Sequence, residues 1–309
     1  MLHSDTLEQA IVRTLAYVDV FDYPLTAAEI HHYLMGLPAP AVQVNRALQN
    51  GRLSASMLSR RDGYFTLRGR EAIVATRQRR EAGARQMWRE ATHYGRRIAA
   101  LPFVRMVAVT GSLAVNNVEP AGDIDYLIVT ANDRLWLCRA FTILLVRLAE
   151  RRGVTLCPNY LLSERALRLN ERNLYTAHEL AQMIPLAGIE TYRRMRQLND
   201  WTAEWLPNAT DLPPHAAHIP KPARQPRRAV QRLAEPVLRG SIGARVEQWE
   251  MTRKVRKFTG QVAARESAAA PKDHEIAFSA DWCKGHFDGH GNRVLHEYER
   301  RLEAVGYGG

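Results

Sequence analysis

The chain is short of cysteine, short of lysine and without a long apolar run, and each shortage carries a consequence. Its three cysteines, Cys138, Cys157 and Cys283, are widely separated and odd in number, which argues against a disulfide framework and fits a reducing compartment. None stands in a pattern that marks a nucleophile. A membrane helix needs about 18 or more consecutive apolar residues, and the greasiest segment, LWLCRAFTILLVRL at 135–148, is broken by Arg139 and Arg147. The opening MLHSDTLEQAIVRTL lacks the basic-then-apolar order of a secretory signal. Together these absences predict a cytoplasmic protein with no membrane partner. Internal repeats are missing too. Of the 43 basic residues only 5 are lysine, and the net charge is +11. Such an excess points to an anionic partner such as nucleic acid or nucleotide, although a GC-rich genome produces the same arginine bias without functional meaning.

At 309 residues the chain is long enough for two or three cores. Near the N-terminus Leu7, Ile11, Leu15 and Val18 recur at helical spacing. Thr26, with Glu29 three residues on, has the pattern of a capping box opening a second helix that stops at Gly36. A third helix, APAVQVNRALQNG, ends at Gly51, and two short strands follow around Asp62-Gly63. Three helices and a basic hairpin over residues 1–70 resemble a winged helix-turn-helix domain. The resemblance implies that the third helix, roughly 40–50, faces DNA through Gln43, Asn45, Arg46 and Gln49. With one arginine among the four, docking of a protein partner by this domain stays open beside DNA binding.

Residues 68–100 are helical in propensity and carry arginine at 68, 70, 77, 79, 80, 85, 89, 96 and 97. Two readings apply: a solvated connector whose arginines and glutamates pair along its face, or a basic ridge leading an anion towards the next domain. Beyond it the pattern alternates. FVRMVAVT (103–110), IDYLIVT (124–130) and VTLCPNYLLS (154–163) read as strands, with a largely buried helix at 133–153. Residues 171–206 return to helix, interrupted at Pro185 and Gly188, and a segment with six prolines follows at 207–228. The expected fold class is α/β (α+β): a mixed-sheet core in 71–206, an N-terminal winged-helix domain in 1–70, a proline-rich linker in 207–228 and a helical C-terminal region in 229–309.

The stretch TGSLAVNNVEPAGDIDYLIVT, 110–130, carries the chemistry. Alternate side chains on a strand share a face, so Asp123 and Asp125 point one way while Ile124 points into the core. Paired carboxylates at that spacing suit divalent metals bridging a phosphate, magnesium above all. Gly111 admits close approach of the backbone to a nucleotide, and Ser112 offers a hydroxyl to a phosphate oxygen. An apolar strand ending in Gly111-Ser112, a gap of ten residues (113–122) and then DIDYLIV resemble the signature of the polymerase-β-like nucleotidyltransferase superfamily, over about 85–165. The resemblance implies transfer of a nucleoside monophosphate from an NTP to an acceptor, with Gly111 and Ser112 holding the triphosphate and Asp123 and Asp125 ligating Mg2+, or Mn2+ in its place.

Members of that superfamily usually carry a third carboxylate on the neighbouring strand. Here LCPNYLLSE has Asn159 at its middle and no acid before Glu164. An amide oxygen ligates a metal but is a poor base. This leaves weak activity with two carboxylates, a binding-only domain, or Glu164 as the missing acid. Near the C-terminus, DWCKGHFDGHGNRVLHEYERRL collects Cys283, Lys284, His286, Asp288, His290 and His296. Its Cys-x2-His-x3-His spacing is half of a zinc pattern and matches no standard finger; a glycine-containing loop whose Lys284 and His286 reach a phosphate or acceptor, and a plain surface loop, are the other readings. Leu180, Met183, Ile184 and Leu186 are expected in a core, His178 in a structural role, and Tyr175, Tyr192 and Trp201 offer a stacking surface for a base. Two functions follow: a magnesium-dependent nucleotidyltransferase acting on NTP and an unidentified hydroxyl acceptor (RNA, protein or small molecule), or a DNA-binding regulator whose degenerate transferase domain senses nucleotide.

Overall fold

Two sheets organise the chain, which a computed structural model describes over residues 6–49, 57–120, 122–219, 229–266, 278–284 and 289–306. In the N-terminal part α1 (Leu7–Asp19) starts at a capping box in which Thr6 accepts from the Gln9 amide and Gln9 bonds back. β1 (Leu25–Thr26) leads into α2 (Ala27–His32), opened by the expected Thr26–Glu29 box. Next come α3 (Ala41–Gln49), β2 (Leu58–Arg61) and β3 (Tyr64–Leu67), the strands lying in the antiparallel order β1-β3-β2. Asp62 and Gly63 take φ of 52° and 83° between β2 and β3, the positive pair that a two-residue hairpin turn demands. The predicted helix stop at Gly51 lies outside the described residues.

α4 (Ile73–Ile98) carries the chain from the small sheet to the large one. Only part of it behaves as a solvated connector. Ile73, Val74, Ala84, Trp88, Ala91, Tyr94 and Ile98 are buried, and Arg77 is only 2% exposed. Its guanidinium pairs with Glu29 at 2.7 Å and Glu81 at 2.5 Å, and lies 3.9 Å from the centre of the Tyr23 ring. Charge spacing along the helix shows Glu81 but not Glu29, which comes from another element.

The large sheet contains β4 (Val104–Val109), β5 (Ile124–Thr130), β6 (Leu156–Ser163), β7 (Ile184–Ala187) and β8 (Trp282–Lys284) in the order β7-β4-β5-β6-β8. Only β5 and β6 run parallel; a parallel pair needs a crossover, and α6 (Leu135–Glu150) supplies it. The short α5 (Gly111–Ala114) follows β4. After β6 the chain forms α7 (Leu174–Gln182), β7, α8 (Ile189–Leu198) and α9 (Thr202–Trp205), then α10 (Ala229–Arg239), α11 (Ser241–Glu266), β8 and α12 (His290–Ala304). The class is thus mixed α and β.

Two strands lie where the sequence predicts otherwise. β7 interrupts a stretch expected to be helical; it is an edge strand, where the missing amide hydrogen of Pro185 is tolerated. Gly188 follows at φ 75°, and a Cβ there would collide with the Arg105 carbonyl. β8 places Cys283 and Lys284 on the opposite edge of the sheet instead of in a loop.

One face of the large sheet (Met106, Ala108, Leu127, Val129, Leu162) belongs to an apolar cluster continuous with the N-terminal core and with buried residues of α7, α8 and α12. The other face (Val107, Val109, Tyr126, Ile128, Leu161) packs under α4 and α6. The start of the proline-rich segment is also docked: Asn208 donates to the carbonyls of His31 and Ala39 at 3.0 Å each. The two ends of the chain meet where buried Asp19 accepts from Arg70 and Arg301, both at 2.8 Å.

Candidate functional site

The site is built where β4 ends. The Thr110 amide donates to the Asp125 carbonyl at 3.1 Å, and Gly111 then turns the chain at φ 65° into α5. A Cβ at Gly111 would overlap the Asp125 carboxylate. Glycine is therefore required twice here, by the left-handed backbone and by the acid lying against its Cα. Ser112 follows on the exposed side, and its carbonyl accepts from the Asn117 amide at 2.8 Å. Asp125 is on β5, on the same face as Leu127 and Val129; Asp123 precedes the strand and is exposed.

On the neighbouring strand Cys157 pairs in register with Asp125, and its thiol bonds to that carboxylate. The register then slips: Leu127 pairs with Tyr160, so Pro158 and Asn159 share the place of one residue. A bulge of this kind re-aims a side chain beside a site. Asn159 lines the cavity beside Asp125, only 7% exposed, and its Oδ1 has no hydrogen-bond partner among the described residues.

These residues open on a cavity of about 440 Å3. Its floor is Gly111, Ser112, Asp125 and Asn159; α7 contributes Tyr175, Glu179 and Gln182, α12 contributes His290 and Arg293, and Tyr17, Val18, Phe21 and Tyr23 of the N-terminal part close it. Burial pushes the Asp125 carboxyl up to about 6, with the charge of Asp123 adding to the effect and the Cys157 hydrogen bond opposing it. Burial and the charge of Asp125 push Glu179 up to about 7, against the pull of Lys284. The Cys157 thiol, buried beside Asp125, is pushed up to about 12 and stays protonated. Neither Asp125 nor Glu179 has an ion pair among the described residues, and Glu179 has no hydrogen bond there either.

Of the residues singled out in the sequence, Gly111, Ser112, Asp125 and Asn159 converge on the cavity and Asp123 stands beside it. Glu164 does not. β5 and β6 are in register at Asp125–Cys157 and at Thr130–Ser163, which puts Glu164 at the far end of the strands, about 16 Å along them; there it lies 4.0 Å from Arg105. Lys284 is 5% exposed, holds Glu171 at 2.9 Å, and faces a second cavity of about 150 Å3 that shares Tyr175 and Glu179 with the first. His286 and Asp288 lie outside the described residues. His290 reaches the main cavity, its ring edge-on to Tyr175 at 5.7 Å, whereas His296 is exposed. Tyr192 and Trp201 are buried and only Tyr175 borders the site. His178 stacks on Tyr17 at 3.8 Å, and burial lowers it to about 4, a neutral structural histidine.

Glu179, Gln182 and Arg293 are the site residues that the sequence reading missed. Glu179 lies in an ordinary amphipathic helix, and only the packing of α7 against the Asp125 face of the sheet gives it a role. Among the described residues no group of three His, Cys, Asp or Glu side chains is placed to hold a metal ion. The carboxylates of Asp123 and Asp125 and the orphaned Oδ1 of Asn159 are hard oxygen donors, the ligand type that magnesium prefers. The chain matches no family model, no curated protein and no solved structure.

Proposed function

We propose that the protein is a nucleotidyltransferase of the polymerase-β-like kind, moving a nucleoside monophosphate from an NTP to a hydroxyl acceptor. The observation that carries this reading is the packing of Gly111 on the Asp125 carboxylate, in a cavity where Asp125 and Glu179 are partly removed from water without a bonded cation among the described residues. Such an arrangement is costly unless a ligand supplies the missing positive charge. Asp123 and Asp125 would hold magnesium, with the Asn159 Oδ1 in the same cavity; bound there, it supplies neutralisation of the polyphosphate charge.

The remaining roles belong to side chains. Ser112 donates to a phosphate oxygen, Arg293 carries a positive charge into the cavity towards the polyphosphate, and Tyr175 offers a ring face to the base. Glu179 takes the place of the carboxylate that β6 lacks. A carboxyl that titrates near 7 accepts the acceptor's hydroxyl proton effectively at neutral pH. As that oxygen bonds to the α-phosphorus, the bond to the bridging oxygen breaks and pyrophosphate leaves. The N-terminal part, resembling a winged helix, closes one wall and so selects the acceptor.

A second reading, a DNA-binding regulator that senses nucleotide without turnover, is favoured by α3, on which Gln43, Asn45, Arg46 and Gln49 are all exposed. The test incubates wild type, Asp125→Asn and Glu179→Gln with magnesium, each α-labelled NTP and cell lysate, and follows label into RNA, protein and small-molecule fractions. Transfer by wild type alone supports the enzyme. NTP binding without transfer moves the case to the regulator, and loss of both activity and NTP binding in wild type overturns the two readings together.

A further inference from the structure

α4 treats its arginines in two ways. Arg77 and Arg80 are bound up: Arg77 by Glu29 and Glu81, Arg80 by Glu119 and by the side-chain oxygen of Asn117 at 3.1 Å. Arg85, Arg89 and Arg96 are exposed and have no carboxylate partner among the described residues. Their spacings of four and seven residues place them on a single stripe of the helix, about 16 Å long at 1.5 Å per residue. Thr92 lies on the same stripe and exposed His93 beside it.

The stripe borders a trough of about 590 Å3 lined, among the described residues, by four arginines, the fourth being Arg97, with Trp88, Thr92 and His93, and by no acid. Beyond Arg89 and His93 a neighbouring depression adds Arg152, with Glu90 on that flank. Arg79, beside the paired Arg77 and Arg80, is also exposed but does not line the trough; an overall arginine bias scatters cations singly and does not explain why four of them border one open groove.

The ridge also leads somewhere. The Trp88 indole donates to the Asn116 side-chain oxygen at 2.7 Å, and Asn116 lies on the segment that carries Gly111, Ser112 and Asn117 to the main cavity.

We propose that the Arg85–Arg89–Arg96 stripe of α4 is a binding track for a single-stranded nucleic acid, gripping its phosphates without reading sequence. The three cations of the stripe lie in one line along the helix, with Arg97 beside its end, and such a line follows one phosphate backbone, where a duplex presents two. The track is separate from the exposed face of α3 and from the NTP cavity, and binding to it needs no turnover, so its failure and that of the transferase are distinguishable.

The test measures anisotropy of labelled mixed-sequence single-stranded RNA, single-stranded DNA and a duplex of the same length with the full chain, between about 50 and 200 mM salt. Wild type is expected to bind both single strands, more tightly than the duplex. R85Q/R89Q/R96Q removes about three phosphate contacts, so the log–log salt slope becomes shallower by about 2 and low-salt affinity falls at least tenfold. The control R168Q/R193Q/R194Q, exposed arginines after β6 and on α8, keeps the wild-type slope, and the stripe variant keeps wild-type NTP affinity. An unchanged slope in the stripe variant, its loss in the control, or equal competition by polyglutamate would each overturn the proposal.

Discussion

Two buried clusters of charge face opposite fates in this molecule. Around Arg77 every charge is answered. Glu29 accepts from Arg77, from the Tyr23 hydroxyl and from the amide and hydroxyl of Thr26. Burial pushes Glu29 up, but Arg77 and these hydrogen bonds prevail and hold it below its ordinary value. Around Asp125 nothing answers in that way. Asp125 has a neutral thiol for a partner, Glu179 has none among the described residues, and both carboxyls are raised. Both clusters are withdrawn from water, Arg77 and Glu29 fully and Asp125 and Glu179 in part at a cavity wall; the counter-charge is what differs most. The first cluster neutralises itself and thereby pins α4 to the N-terminal part, while the second has no bonded counter-charge among the described residues, the condition that suits the cation-bearing ligand proposed for it.

The comparison is broken most severely on its structural side. Arg77→Met leaves the Glu29 carboxylate buried with its hydrogen bonds but no counter-ion, and is expected to cost about 3–5 kcal/mol in urea denaturation. A loss below about 1 kcal/mol would show that solvent reaches Glu29 and that the cluster is not sealed. The Arg77→Met and Glu29→Gln pair together should recover much of the loss, because the orphaned charge is then gone.

At the site the first test is Gly111→Ala, expected to cost about 1–3 kcal/mol through left-handed strain and collision with Asp125. It should also weaken binding of magnesium-NTP in a thermal-shift assay. Asp125→Asn should act in the opposite direction. In the folded chain Asp125 titrates near 6 and Glu179 near 7, above ordinary values of 3.8 and 4.5. Between those limits the folded state holds protons that the unfolded state has released, so these groups make stability fall as pH rises, with the full penalty present above pH 7. Asp125→Asn removes one charge and relieves the other. A gain of about 1–2 kcal/mol at pH 8, after allowance for solvent screening, and little change at pH 4 is the expected outcome of denaturation at the two pH values. A variant less stable than wild type at pH 8 would mean that the Asp125 charge is answered after all.

Much of this was legible in the sequence because it depends on residues close together in the chain. The capping box at Thr26, the Asp62-Gly63 hairpin and the Gly111-Ser112 turn followed by Asp123 and Asp125 all follow from local spacing. What escaped depends on partners distant in sequence. β7 resembles a continuation of α7 until β4 offers it an edge, and β8 is a strand only because β6 accepts its hydrogen bonds. Glu179 has no motif around it; its role comes from α7 crossing the face of the sheet that carries Asp125. Arg293 is brought in by α12, more than 160 residues after Asp125 in the numbering. Glu164 misled in the reverse sense, since nearness in sequence to Asn159 hides the length of strand between them.

The smallest effect is the most discriminating, because it isolates what the acid adds at Gly111. Gly63 and Gly111 have similar dihedrals, φ 83° and 65°. A Cβ at Gly63 meets nothing within 4 Å, whereas one at Gly111 meets Asp125. Gly63→Ala therefore suffers left-handed strain alone, about 1 kcal/mol, and should leave nucleotide binding unchanged. Subtracting it from Gly111→Ala leaves the cost of crowding the carboxylate. If Asp125 holds its place because the turn needs it there, that difference persists in an Asp125→Ala background; if the glycine exists to admit the acid, the difference vanishes once the side chain is cut back. Denaturation of the two glycine variants in both backgrounds decides between them, and the second result is the one expected if the turn is shaped to bring a carboxylate against the backbone, as the proposed nucleotide site requires.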